Sequence, residues 1–204
     1  MNFLRSLAVP ASLAALWLAG CHVTTHKDGK DGNVDIGTPF GSMQVKTDGK
    51  GDTSAIGIAA YPGAVLVKRN HNDSDAGSAD INMNFGSFHL GVKAASYQTS
   101  DPQSKVEAFY RKDLARYGDV IACRDNSPVG QPTRTSQGLT CETKHGDHIN
   151  IKQDASDSGL ELRTGSEQHQ HIVGIEAKDG GTKIGLVALD LPSGLGTHDS
   201  KDSE

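Results

Sequence analysis

Asp101-Pro102-Gln103-Ser104-Lys105-Val106-Glu107-Ala108-Phe109-Tyr110-Arg111-Lys112-Asp113-Leu114-Ala115-Arg116-Tyr117-Gly118 is the stretch from which the architecture follows. Val106, Phe109, Tyr110, Leu114 and Tyr117 recur at helical spacing, with Lys105, Arg111 and Lys112 on the other face. Asp101 is a good N-cap, Pro102 suits the first helical position, and Gly118 stops the helix. The spacing therefore predicts one amphipathic helix over 102–117. Everything around it alternates. Upstream, residues 64–68 read as a strand after the Tyr61-Pro62-Gly63 turn. In residues 79–85, Ile81, Met83 and Phe85 share a face, and 88–99 reads as a further strand with a bend or bulge. Downstream, strands are expected at 120–124, 139–144, 148–152, 160–164, 171–177 and 183–191. The turns Asp157-Ser158-Gly159 and Asp179-Gly180-Gly181 separate some of them. Sequential short strands with tight turns favour an antiparallel meander. The fold expected is α+β: a mostly antiparallel sheet with one amphipathic helix packed on one face.

The beginning of the chain has a different character. Residues 1–6 carry one positive charge, Arg5. Residues 7–18 are apolar apart from Ser12, and are too short to cross a bilayer as a stable helix. Leu18-Ala19-Gly20-Cys21 follows. This junction resembles the lipobox of bacterial lipoprotein signal peptides. The resemblance implies that the Cys21 thiol carries diacylglycerol, that cleavage precedes Cys21, and that the new amine is acylated. Cysteine suits thioether formation because it offers a soft nucleophile, and small residues beside it fit a narrow protease cleft. The competing readings are a secretory signal with a chance cysteine, and an uncleaved anchor. His22 follows the cysteine, where an inner-membrane retention signal typically has aspartate. The resemblance thus implies an outer-membrane lipoprotein facing the periplasm, in a two-membrane organism.

Removing residues 1–20 leaves 184 of 204, enough for one domain with a real core. It also removes Arg5, the segment's only charge, taking the net charge from −5 to −6. No basic patch tracks a phosphate backbone, so nucleic acid is not an expected partner. The 24 glycines and 5% aromatic content suit short strands and many turns. Residues 21–33 read as a flexible tether, 34–47 as a small β-hairpin around Thr38-Pro39-Phe40-Gly41, and 48–54 as a second linker. That hairpin is expected as an appendage to a main domain over 56–191, and 192–204 as a disordered tail. The remaining cysteines, Cys123 and Cys141, form an even pair, most simply a disulfide in an exported chain; the alternative is two free buried thiols.

Tyr61-Pro62-Gly63-Ala64, then Tyr97-Gln98-Thr99-Ser100-Asp101, then Val106, Phe109-Tyr110, Leu114 and Gly118 carry a second resemblance. They are similar to a recurring pattern of bacterial envelope proteins, in which a YPGA turn precedes a strand and a Y-x-T-x-D step leads into a helix. The likeness covers about residues 56–120, and the Thr-Pro-Phe-Gly hairpin extends it to 34–47. It implies a fold element and no catalytic residue.

Nine histidines invite a metal reading. In His145-Gly146-Asp147-His148, the core-facing register (Thr143 opposite Ile149, Cys141 opposite Ile151) turns His148 outward. His169-Gln170-His171 is better, since residues i and i+2 on a strand point the same way. It still lacks a third ligand, and Val173 and Ile175 share its face, so the pair also suits the polar end of a core strand. His22 and His26 lie in the expected tether. Asp73-Ser74-Asp75 and Asp154-Ala155-Ser156-Asp157 read as solvated turns, without the spacing of an EF-hand loop. There is no Gly-x-Ser-x-Gly elbow, Cys-x-x-Cys pair, Walker loop or dinucleotide fingerprint. No cofactor is expected. The expectation is a lipid-anchored, non-enzymatic binding or structural module with an envelope protein as partner. The alternative is a metal-binding protein or metal-dependent envelope enzyme using His169 and His171.

Overall fold

A computed structural model describes residues 22–28, 31–47, 53–67, 77–142, 159–178 and 180–192. Its strands are β1 (His22–Asp28), β2 (Asp31–Thr38), β3 (Gly41–Thr47), β4 (Val65–Leu66), β5 (Ser78–Phe85), β6 (Phe88–Thr99), β7 (Ile121–Arg124), β8 (Ser127–Pro128), β9 (Leu160–Gly165), β10 (His169–Lys178) and β11 (Gly181–Asp190). One helix, α1 (Gln103–Leu114), runs into a 3₁₀ turn at Ala115–Tyr117. All eleven strands join one sheet, in the order β1-β2-β3-β5-β6-β11-β10-β9-β7-β8, with β4 paired to β6. Every strand pairing is antiparallel. The α+β architecture expected from the alternation and the single helical stretch is the one observed.

The core lies where α1 covers the sheet. Ala95 and Tyr97 of β6, Ile184 and Leu186 of β11, Val173 and Ile175 of β10, and Leu160 and Leu162 of β9 meet Val106, Tyr110 and Leu114 of α1. Each fully buried aliphatic side chain there contributes about 1.5–3 kcal/mol. Tyr61 and Phe109 meet edge-on at a centroid distance of 5.2 Å and seal one flank of the helix. By contrast, no described side chain of β1, β2, β3 or β5 is buried. Stability is therefore concentrated in the helix-covered half.

Several elements differ from expectation. Residues 22–28 are a strand rather than part of a tether, pairing from His22 opposite Gly37 to Asp28 opposite Asp31. Its polar composition and the glycines that follow, Gly29 and Gly32, make residues 21–33 read as a linker, yet His22, Thr24 and His26 lie on one face and Val23 and Thr25 on the other, which suffices once β2 supplies the hydrogen bonds. The β2–β3 hairpin is not an appendage, because β3 pairs with β5 from Gly41 opposite Phe85 to Lys46 opposite Asp80. Strand β6 keeps a one-to-one register with β5 and β11, so of the expected bend or bulge no bulge occurs in those pairings. Asp101 does not cap the helix: α1 begins after Pro102 without a side-chain cap. Its carboxylate instead accepts a hydrogen bond from the Tyr61 hydroxyl at 2.7 Å and pairs with Lys105 at 2.9 Å. Gly118 does end the helical segment, its N–H donating to the Ala115 carbonyl. In the expected strand 139–144, the described residues form only a bridge between Thr140 and Arg134. The expected signal peptide, the expected strand 148–152, His145, His148, both carboxylate-rich turns and residues 193–204 lie outside the described residues. No helix among the described residues is long and apolar enough to cross a membrane.

Candidate functional site

Three regions carry chemistry: the histidine end of β10, the disulfide on the opposite face, and the sheet end that begins at His22. On β10, His171 pairs with Thr164 and Ala188, and His169 with Asp190. The two histidines share the helix-facing side with Val173 and Ile175, as alternation requires. They nonetheless have separate partners. The His171 ring stacks on Tyr117 with centroids 3.8 Å apart and an interplanar angle of 12°. The His169 ring lies at the surface, its Nδ1 2.8 Å from the Asp190 carboxylate.

Tyr117 is fixed from three sides. Its hydroxyl donates to the Gly57 carbonyl, to which Arg116 also donates. Arg116 lies 4.9 Å from the Tyr117 centroid and pairs with Asp113 at 3.2 Å. Asp113 in turn accepts the Ala59 N–H at 3.2 Å. Gly57 sits at φ +77°, and a Cβ there would fall 2.8 Å from the Tyr117 hydroxyl. The left-handed turn and the closeness of the ring both require glycine. Burial holds the His171 pKa below the usual imidazole range; the Arg116 charge acts the same way, and Asp190 opposes them. A half-buried imidazole in a stack closes the end of the main core. Among the described residues, no group of three or more His, Cys, Asp or Glu side chains could hold a metal ion. The sequence placed His169 and His171 correctly on one face, but could not show Tyr117 lying over one of them.

On the opposite face, Cys123 and Cys141 are joined, with Cα atoms 5.5 Å apart and a sequence separation of 18. With Ile121 and Leu139 they form a second, smaller core. Arg163 lies beside it, donating from Nε to Glu161 at 2.8 Å and from Nη1 to the Cys141 carbonyl at 3.3 Å. The segment between the cysteines is pinned further by Thr135, whose hydroxyl donates to the Gly165 carbonyl and accepts the Leu139 N–H.

The third region follows from register. Val23, Ile36, Met43, Met83 and Leu90 form one row across β1, β2, β3, β5 and β6, and Thr25, Val34, Val45, Ile81 and Val92 form the next. Their reverse side carries residues such as Asp35, Gln44, Asp80 and Lys93, so this half of the sheet is amphipathic. β1, β2 and β3 touch only their sheet neighbours among the described elements. Both rows run across the strands to β1 at the edge of the sheet, and the Val23 row lies one residue from the end where β1 starts. Cys21 itself lies outside the described residues, one position before β1. At that end Phe40 tops the β2–β3 hairpin, 84% exposed, and Phe85 at the β5–β6 turn is 38% exposed. A Cβ on Gly41 would collide with Phe85 Cδ1, so the Phe85 ring lies over the neighbouring hairpin. Neither Phe40 nor β1 stood out as functional in the sequence; the signal was the apolar alternation of 34–45 and 81–92, which gains meaning only from the register. In comparisons with known proteins, no family model, no curated protein and no solved structure matches this chain.

Proposed function

We propose that this chain is a bacterial envelope lipoprotein, moored through acylated Cys21 to the outer membrane on its periplasmic side, that serves as a non-enzymatic binding or structural module. The observation that carries the reading is the run from a short apolar segment through Leu18-Ala19-Gly20-Cys21 directly into a folded strand at His22. The Cys123–Cys141 disulfide supports export, since such bonds persist in oxidising compartments. A broad amphipathic sheet half whose apolar side no described element covers supports a surface that meets another surface. The His171 stack supports a structural role for that imidazole, in place of the metal site considered from the sequence.

The test is Cys21→Ala in a bacterial host fed a labelled fatty acid. The wild type should incorporate label and mature at residue 21. The variant should lose the label entirely and accumulate as precursor. Undiminished label in the variant, or a native wild-type N-terminus without fatty mass, overturns the reading.

A further inference from the structure

We infer that the sheet end formed by the β2–β3 and β5–β6 turns is a membrane-docking edge, in which Phe40 and Phe85 enter the headgroup and acyl boundary of the bilayer. The inference rests on the proposed acylation of Cys21 and adds to it an orientation and a second point of contact. Three observations carry it.

The first is the lack of slack. β1 begins at His22, so an anchor on Cys21 is joined directly to the sheet and not through a dozen flexible residues. His22 is opposite Gly37, and the β2–β3 turn follows immediately. From β1 to β6 there are four strand spacings, about 19 Å in all. Both turns therefore lie within about 20 Å of the anchored residue, and acyl chains in a bilayer bring them to its surface.

The second is the side chains presented there. Phe40 projects from a hairpin apex, and Phe85 lies across Gly41 beside it, so the two turns offer one joined aromatic tip. A projecting apex suits insertion into a yielding lipid interface better than the broad contact of a second protein.

The third is charge. Residues 37–42 and 84–89 contain no Asp, Glu, Lys or Arg. The other end of these strands carries Lys46, Asp80 and Lys93, in register on β3, β5 and β6. Charged groups are costly to bring into the acyl boundary and cost little in water, so this segregation matches one end against lipid and the other in solvent.

The experiment uses the full chain, matured in a bacterial host. Trp17 is the only natural tryptophan and lies in the segment removed on maturation, so Phe40→Trp yields a mature protein with a single reporter. The acylated protein is reconstituted into vesicles of phosphatidylethanolamine and phosphatidylglycerol, with or without acyl-brominated phosphatidylcholine. The indole introduced by Phe40→Trp should emit at shorter wavelength than in water and lose about half its emission to the brominated lipid, as expected for insertion to that depth. Val129→Trp is the comparison, because Val129 is 40% exposed and adjoins β8 at the opposite edge of the sheet. It should stay quenchable by aqueous iodide and indifferent to brominated lipid. Acylated Phe40→Trp protein whose indole remains open to iodide and insensitive to bromine overturns the inference while leaving the anchor intact. A blue shift without bromine quenching that grows with protein density assigns the tip to a second copy and also overturns it. A purified product that keeps Trp17 or lacks fatty mass overturns the anchoring reading, and this inference with it.

Discussion

Replacing both Cys123 and Cys141 by alanine tests how the smaller core is held. The bond closes a loop with a sequence separation of 18. In the chain-entropy model such a closure removes about 11 cal/mol/K from the unfolded ensemble, or about 3 kcal/mol at room temperature. The native face adds a smaller share to that loss: among the described residues the two buried sulfurs lie in a small cluster with Ile121 and Leu139. The tertiary hydrogen bonds of Thr135 and Arg163 in this region do not involve the sulfurs. The stabilisation should therefore come mainly from the unfolded state. Urea denaturation followed by circular dichroism should give a double variant less stable by about 3 kcal/mol, with a steeper dependence on urea because the open chain exposes more surface. Native-state hydrogen exchange should show protection falling most at Leu139, whose N–H is held by Thr135 inside the loop. A loss below about 1 kcal/mol with an unchanged slope would refute the argument from loop closure.

The remaining predictions concern the clamp around Tyr117. Gly57→Ala places a methyl 2.8 Å from the Tyr117 hydroxyl at a backbone φ of +77°, so it should destabilise the protein by about 2 kcal/mol or more; a variant as stable as wild type by thermal melting would show that the turn is not constrained. His171 has a folded pKa below its unfolded value, so the unfolded chain binds more protons and stability should fall as pH drops below about 6.5. His171→Phe keeps a ring against Tyr117 and should flatten that dependence; identical urea midpoints against pH for the two proteins would remove His171 as the cause. The carboxylates of Asp101 and Asp119, both held low by hydrogen bonds, titrate well below this window and do not confuse the reading.

The helix and the strand alternation were legible because each has its own period. Val106, Tyr110 and Leu114 could not serve any other element, and Ile81 and Met83 declare a face by themselves. What remained illegible depends on partners distant in sequence. Residues 22–28 lack an apolar stripe of their own and are a strand only because β2 pairs with them. Asp101 reads as a cap until Tyr61, 40 positions away, takes its carboxylate. The candidate site divides in the same way. Cys123 and Cys141 were readable as a pair from number and context alone. His169 and His171 were readable as neighbours on one face, but the Tyr117 ring that occupies one of them comes from the helix terminus, and Gly57, which locks that ring, comes from a turn 60 residues before it.

The order of the strands has a consequence for how the molecule comes into being. From β1 to β6, all but the two-residue β4 pair with the next long strand along the chain, so this half can zip up as the polypeptide lengthens. The other half cannot. Its middle position, between β6 and β10, is filled by β11, the last of the described strands. Until residue 190 arrives, the bed on which the helix rests has a gap through its centre. The helix-covered half therefore stays open after the other half has paired, and shuts only when β11 takes its place between β6 and β10.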